Sequence, residues 1–571
     1  MKHLSQKRTN KAISLLLVLI MVMALVACSG SGTGDAKPAA PAAQTDAKSD
    51  VPAAQTGTKA ASTDAPAEEK TNGYVGISGG GSKAVYSTKD TVNYRLNADL
   101  STIDPHRTNS TGNERIVEGN LYEGLWRIDM FNGKTEVNLC LAESYEYLDD
   151  AQTQMQVHLR KGVKFHNGEE MKAADVVWSL NRVVESGFNE VVASFIDSVE
   201  EVDEYTVLIK LKFAYSAILR VLASTPCSIM SKSFGEANAD SLDRMACGTG
   251  PFVFKEWIAG DSITCEAFPD YWRGEAAIKH VNFVIIADNS TYLIALENGQ
   301  VDTSNAIGSA DAEYIKNNSE LGYDTSSTGS GGRSILFNCS KGVFADARMR
   351  RAVAMAIDRE AVWITAYDST GYIGYTTMST SLPEYPADFQ PLPYDPEAAA
   401  ALVKECYPDG ITINMPTIDN DQYKRATVCF QEQLAKIGIN INIDLMTRAA
   451  WNELCLTNSN FEITYWAVMN DYEDADAILY KFHSRNLNGG GNFMCYSNPE
   501  MDKLLDEGRI TPAGAERNEI YRKVLEIMKE DAVVVSVHCS QREVAFNKNL
   551  KGVKAVPEQK YYIYDYWWEE A

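Results

Sequence analysis

Past residue 84, two hydrophobic periods take turns along the chain. Apolar residues two apart mark strands that bury one face, and apolar residues three and four apart mark helices that bury one stripe. The spacing predicts a strand at 92–96, a helix around 114–120 and an alternating strand at 155–159. Asn167-Gly168 is a hairpin-type turn. Residues 172–175 open a helix with Val176, Val177, Leu180 and Val183 on one side. Residues 205–213 alternate and form a further strand. The densest signal lies at 247–302: a turn at Gly248-Thr249-Gly250-Pro251, strands at 252–257 and 262–268, a loop at 269–274, a strand at 281–286, and a helix at 291–298 that stops at Gly299. Beyond it come a helix near 310–317, a Ser/Gly-rich run at 326–332 and a strand at 334–338. A helix capped by Asp346 then buries Met349, Val353, Ala356 and Ile357. A strand at 411–415, a helix at 422–437 and a strand at 439–445 follow, then a helix at 517–531 and a strand at 532–538. This alternation is α/β in class.

The first 83 residues break the pattern. Residues 1–27 have a basic start (Lys2, Lys7, Arg8, Lys11), no acid, and an apolar run from Ile13 to Ala27. That run is short for a membrane span and suits a signal peptide. It ends Leu25-Val26-Ala27-Cys28-Ser29-Gly30, which resembles a bacterial lipobox. In that reading Cys28 is the first mature residue and carries diacylglycerol, whose two acyl chains give a stable anchor. Residues 28–83 then form the lipidated cysteine and a disordered tether rich in Ala, Thr, Pro, Gly, Asp and Lys. A G-x-S-x-G match at Gly76–Gly80 falls in the tether, without the strand and helix a nucleophile elbow needs.

Composition narrows the function. The chain has 571 residues and a formal net charge of −24 at pH 7, which repels phosphate backbones and argues against nucleic acid as a partner. Its 11 cysteines include no C-x-x-C pair, so beyond Cys28 they read as small buried hydrophobes, with a Cys227–Cys247 bridge open to an exported protein. His158 and His166 lie in a strand and a turn without H-E-x-x-H spacing, so no metal and no cofactor is expected. The Gly-rich run at 326–332 lacks the Gly-Lys-Ser/Thr ending of a phosphate loop and reads as a hinge or a loop approaching ligand. A secreted hydrolase is the competing class, but no triad signature stands in folded context.

Several stretches carry a resemblance. These are the 247–302 block from Gly248-Thr249-Gly250-Pro251 to Val301-Asp302, Leu121-Tyr122-Glu123-Gly124-Leu125, residues 155–183, and residues 344–359. Shorter matches lie at Asp104-Pro105 and at residues 492–502. Together they resemble the extracellular solute-binding proteins of family 5, the peptide, nickel and related receptors of ABC importers. The resemblance runs from about Val92 to the C-terminus. It implies a two-lobed periplasmic-binding-protein-like fold (type II, large cluster with an extra inserted subdomain), with lobes joined by a hinge. The expected organisation is lobe 1 at 84–327, with the inserted subdomain at about 127–204, lobe 2 at 328–538, and a return to lobe 1 at 539–571.

The resemblance also implies a function. The chain would bind a peptide between its lobes, catalyse nothing, and deliver the peptide to ABC permease and ATPase subunits from the extracytoplasmic face of a cell membrane, on a Gram-positive surface. Family receptors pair a carboxylate with the peptide's α-amino group ten residues after a phenylalanine. Counting from Phe461 gives Asp471. The alternative for Asp471 is a solvated loop acid, since Glu473, Asp474 and Asp476 lie alongside. The family's tryptophan three before the aspartate is Val468 here, and Trp466 lies two positions earlier on the same strand face. Trp466, Met469 and Asn492, with Thr108, Asn109 and Gly112 in the loop after Asp104-Pro105, are further cleft candidates. A nickel chelate, haem, an oligosaccharide, or a peptide-sensing role without transport are the alternatives.

Overall fold

A computed structural model describes residues 88–107, 112–131, 134–186, 188–307, 311–326, 330–468, 474–487, 491–556 and 561–569. The signal peptide, Cys28, the tether and its G-x-S-x-G match lie outside the described residues, as do Thr108, Asn109, Met469 and Asp471. No helix among the described residues is long and apolar enough to cross a membrane.

Two sheets carry the two lobes. The first has seven strands in the order Phe252–Ile258, Ser262–Ala267, His280–Ile285, Thr91–Leu96, Thr303–Ser304, Glu543–Asn547 and Leu321–Thr325. The second has four, in the order Tyr372–Ile373, Val534–Ser540, Ser330–Phe337 and Ile463–Ala467. Beside it the strand–helix–strand pattern folds as read: Ile411–Ile418 pairs in parallel with Ile439–Met446, with helix Asp421–Ala435 between them in sequence. A separate antiparallel sheet of Ala142–Tyr147, Gln154–Leu159, Thr206–Leu211 and Ile196–Asp203 packs with helix Ala173–Ser186 around its own buried cluster, including Val157, Val176, Leu180 and Ile209.

The 247–302 block organises the first lobe by close approach. A Cβ on Gly248 would come within 2.2 Å of the Leu121 carbonyl oxygen, and one on Gly250 within 2.6 Å of the Leu121 carbonyl carbon. Only glycine lets the two backbones meet, and the Gly250 N–H donates to Leu121 O at 3.1 Å. His166 clasps the same turn. Its Nδ1 accepts from the Gly248 N–H (3.3 Å) and its Nε2 lies 3.0 Å from Gly250 O. That pairing requires the neutral Nε2–H tautomer, and burial pushes the imidazole down to about 4. Glu123 gathers the rest: it accepts from Thr249 Oγ1 (2.9 Å), Tyr271 Oη (2.7 Å) and Trp272 Nε1 (2.9 Å). At the far end Asp302 is buried, takes the Asn93 N–H (2.7 Å) and pairs with Lys89 (2.7 Å).

The first sheet ends at Thr325 and the second begins at Ser330; the second ends again at Ser540 and the first resumes at Glu543. The passages are stitched together. The Ser326 N–H donates to Arg542 O (2.9 Å), the Arg542 N–H donates to Ser326 Oγ (3.0 Å), and Gln541 Nε2 donates to Ser326 O (2.7 Å).

Two readings from the sequence change. The run at 326–332 is not all loop, because Ser330, Gly331 and Gly332 already belong to strand Ser330–Phe337. The ladder to Val534–Ser540 extends that far, and Gly332 lacks the Cβ that would stand 2.5 Å from Thr376 O. The Cys227–Cys247 bridge is not formed: both residues are thiols, buried in one apolar cluster.

Replacing Glu123 by Ala strands four donors, the Cys140 thiol among them and two on large aromatic side chains. We expect a loss of about 3 kcal/mol in urea unfolding, with Glu123→Gln recovering only part of it. A second test is pH. The folded His166 binds its proton below its unfolded value near 6.5, so its stabilising effect is full above that value and is lost as pH falls towards about 4. Urea midpoints of the wild type and His166→Asn should therefore differ most at pH 7.5 and converge by pH 4.5.

Candidate functional site

In an open α/β sheet, ligand sites lie beyond the carboxyl ends of the strands, where loops and helix starts meet. In the second lobe that end is made by the finish of Ile411–Ile418, the start of helix Asp421–Ala435 and the finish of Ile463–Ala467. Strand Ser330–Phe337 begins at the same end, with Arg333 paired to Ala467 on one side and His538 on the other. The Val468 N–H continues the ladder to Gly332 O at 3.2 Å.

Side chains from these segments stack into a column. The Arg448 guanidinium lies 3.7 Å from the Trp466 ring centre. Trp466 stacks on Tyr423 (5.6 Å, 15°). The Arg333 guanidinium sits 5.4 Å from the Tyr423 ring and 5.6 Å from the Tyr367 ring, and Tyr367 stacks on His538 at 3.6 Å. Cation over ring is favourable because the ring face carries partial negative charge. Burial, with the Arg333 charge beside it, pushes His538 down to about 3, so its ring is neutral. His538 Nε2 faces Thr370 O at 3.0 Å, and its Nδ1 has no partner.

The predicted residues fall in different places. Trp466 belongs to the column, with Tyr423 and Arg448 both packed against its ring. Val468, in the position of the expected tryptophan, is buried in a core cluster of the second lobe. Asn492 is buried and fully engaged: its Nδ2 donates to Phe482 O, His483 O and Tyr496 O, and its Oδ1 accepts from the Tyr496 N–H. Its amide ties down its own loop. Gly112 opens helix Gly112–Leu121, whose Glu114 accepts from Ser101. Asp104 is held by both terminal nitrogens of Arg182 (2.7 and 2.6 Å).

The acids after Asp471 are not a solvated cluster. Asp474 is 2% exposed and Asp476 is fully buried. Asp474 pairs with Arg517 (2.7 Å) and caps helix Ala475–Leu479, and Arg517 also holds Glu384. Asp476 pairs with Arg509 (3.0 Å) and accepts from Tyr215 Oη (3.0 Å). Burial raises the Asp476 carboxyl against the pull of Arg509. The Ser216 N–H donates to Arg509 O at 2.9 Å, so the exit from the inserted sheet is bound to the second lobe here. Glu473 lies outside the described residues.

Sequence reasoning missed Arg333, Tyr423 and Arg448. One signal was available: on a strand whose Ile335 and Phe337 face the core, Arg333 occupies the same alternating face. A cation there breaks the pattern and marks a polar requirement.

Two sheets joined by paired crossovers, with polar and aromatic side chains at strand ends, define a two-lobed binding protein. The chain belongs to the bacterial extracellular solute-binding proteins, family 5, whose middle-region model matches residues 136–489. Members of that family are transport binding proteins, and the relatives of this chain are named as binding proteins. The chain is 27% identical over 482 residues to the oligopeptide-binding protein AppA of Bacillus subtilis, covering 79% of this chain and 87% of that protein. It is 27% identical over 491 residues to the glutathione-binding protein GsiB of Escherichia coli K12, covering 83% and 93%. In fold it is similar to HbpA2 of Haemophilus parasuis, with TM-score 0.77 and 23% identity over 84% of this chain and 100% of that one.

Removing one partner of a buried ion pair leaves an uncompensated charge. Arg517→Met strands Asp474 and Glu384 together, so we expect a loss of about 4 kcal/mol in urea unfolding at pH 7.5. The loss should shrink at pH 5, because burial raises the Glu384 carboxyl and lets it take up a proton there.

Proposed function

We propose that the chain is the substrate-binding lipoprotein of an ABC importer, which captures di- or oligopeptides between its two lobes and delivers them to a membrane permease. The observation that carries this reading is the likeness to AppA and GsiB over 79% and 83% of this chain, both named for peptide ligands. Binding works by population shift: ligand contacts made by both lobes favour the closed form, and the paired crossovers at Ser326 and Arg542 are where the lobes turn.

In this reading Asp471 pairs with the peptide's α-amino group. Its spacing from Phe461 supports the role, and so does the company it keeps. Asp474 and Asp476 are paired with Arg517 and Arg509, so neither is open to a ligand ammonium. An ammonium taken out of water needs a charge partner, and a charge-assisted hydrogen bond supplies it. The lipid on Cys28 holds the receptor on the outer face of the membrane, and the 28–83 tether gives it reach.

The test is calorimetry on protein that has been unfolded and refolded to shed carried ligand. Di-, tri- and pentapeptides with free N-termini should bind, and N-acetylation should weaken binding by about 2–3 kcal/mol. Asp471→Asn should lose the distinction between free and acetylated forms. If no peptide binds the intact refolded protein, the peptide reading falls.

A further inference from the structure

We propose that the second lobe carries a further ligand site outside the cleft: a cavity between helix Ala515–Glu530 and the segment 375–392 that takes a small organic carboxylate, its charged end on Arg359 and its tail on apolar walls. The cavity holds about 430 Å³ of empty space, counted to its solvent-open mouth. Arg359, Tyr375 and Thr377 belong to its polar lining, and Phe389, Leu525 and Met528 to its apolar lining. It stands apart from the crossovers. Val534 and Ser536, which also line it, pair with Leu336 and Ser334, whereas the ladder reaches the first sheet's side at Ser330 and Ser540.

The charge in this cavity is under-used. Arg359 opens helix Arg359–Tyr367, and its Nε donates to Ser536 O at 2.9 Å. Among the described residues its two terminal nitrogens have no acceptor and no acid pairs with it. Arg350 shows how this lobe satisfies a buried arginine that also lacks an acid: its Nε and Nη1 donate to the carbonyls of Asp531, Phe344 and Ala345. Burial pushes the Arg359 guanidinium down to about 10, with the Tyr375 hydroxyl acting against that, so it is charged at neutral pH. A guanidinium with both terminal nitrogens open matches the two oxygens of a carboxylate.

A second orphan points the same way. Thr377 is 1% exposed, and its Oγ1 has no hydrogen-bond partner. The hydroxyls beside it are matched: Thr376 Oγ1 accepts from the Met378 N–H (3.1 Å), and Ser536 Oγ faces Ser334 Oγ at 2.8 Å. A buried hydroxyl without a partner is costly, and an anion in the same cavity can accept from it. Lys529 adds a second positive charge to the lining; Glu526 holds its ammonium, which lies 5.6 Å from the Phe389 ring centre. No acid among the described residues lines the cavity, in a chain whose net charge is −24. The remaining walls choose the kind of anion. Phe389, Leu525 and Met528 are buried apolar side chains, which an inorganic anion would leave uncovered and a short alkyl or aryl tail would cover.

The test is calorimetry on the full chain, unfolded and refolded to shed carried ligand, with hexanoate, hexanamide and inorganic phosphate. Hexanoate should bind, and the neutral hexanamide should bind about tenfold or more weakly for want of the charge-assisted pair. Phosphate should also bind more weakly than hexanoate. Arg359→Met should bind acid and amide alike. Thr377→Val, which keeps the shape and removes the hydroxyl, should lose part of the hexanoate affinity. Where Arg359→Met does not fold, Arg359→Lys and Thr377→Val carry the test, each with weakened hexanoate binding and an unchanged response to hexanamide. Competition separates this site from the cleft: hexanoate affinity should be the same with and without saturating peptide, and peptide affinity the same in wild type and the folded Arg359 variant. If no peptide binds, the peptide reading falls and the hexanoate arms decide this one alone. Three results overturn the proposal: no hexanoate binding at millimolar concentration, phosphate binding as tightly as hexanoate, or hexanoate binding that the Arg359 and Thr377 variants leave unaltered. Displacement of hexanoate by peptide overturns it too, since the carboxylate would then occupy the cleft.

Discussion

The carboxylate of Glu123 is the constraint on which the first lobe depends. It joins three segments far apart in sequence: its own short strand Glu123–Gly124 after helix Gly112–Leu121, the turn at Gly248–Gly250, and the loop of Tyr271 and Trp272. Each donor it satisfies is anchored to a different piece of backbone, so one acid fixes three relative positions. The glycines make this reach possible, because any Cβ at Gly248 or Gly250 would push the turn off the Leu121 backbone. His166 closes the arrangement from the side of the inserted sheet, with both ring nitrogens spent on the same turn. The lobe is thus held by directed polar contacts laid over apolar cores that, alone, would tolerate sliding.

The second lobe spends its charges differently. Asp474 and Asp476 are taken out of water and matched to arginines, and Tyr215 and Ser216 bring the inserted sheet's exit onto that pair. These buried pairs fix geometry more than they add stability, since desolvation offsets much of the attraction. Against that background Arg333 stands out. It is supported by the Tyr367 and Tyr423 rings, the Tyr367 hydroxyl and the Gln422 amide, and by no acid among the described residues.

The two segments that link the sheets are tied at Ser326. It uses its N–H, its carbonyl and its hydroxyl on Gln541 and Arg542, so the backbone just after strand Leu321–Thr325 is fixed to the backbone just before Glu543–Asn547.

Much of the fold was legible along the chain. Alternation at 155–159 and 205–213 appears as Gln154–Leu159 and Thr206–Leu211, and the Asp346 cap and its stripe appear as read. These succeeded because burial of one face imposes a period that neighbours in sequence can display. The GTGP turn was legible as a turn, but not why it must be glycine, since the Leu121 backbone it meets is more than 120 residues away. The site was less legible. Asp474 and Asp476 looked like solvated loop acids because sequence shows charge and not partner; Arg517 and Arg509 come from another helix pair. Asn492 looked available until the fold spent its amide on its own loop. Arg333 looked ordinary until its neighbours proved to be rings. The sequence by itself determined the class, the elements and the family, because those follow from local period and motif. Only the tertiary structure decided which charges are matched and which stand open, because a charge is matched or left open by distance in space, which no local pattern encodes.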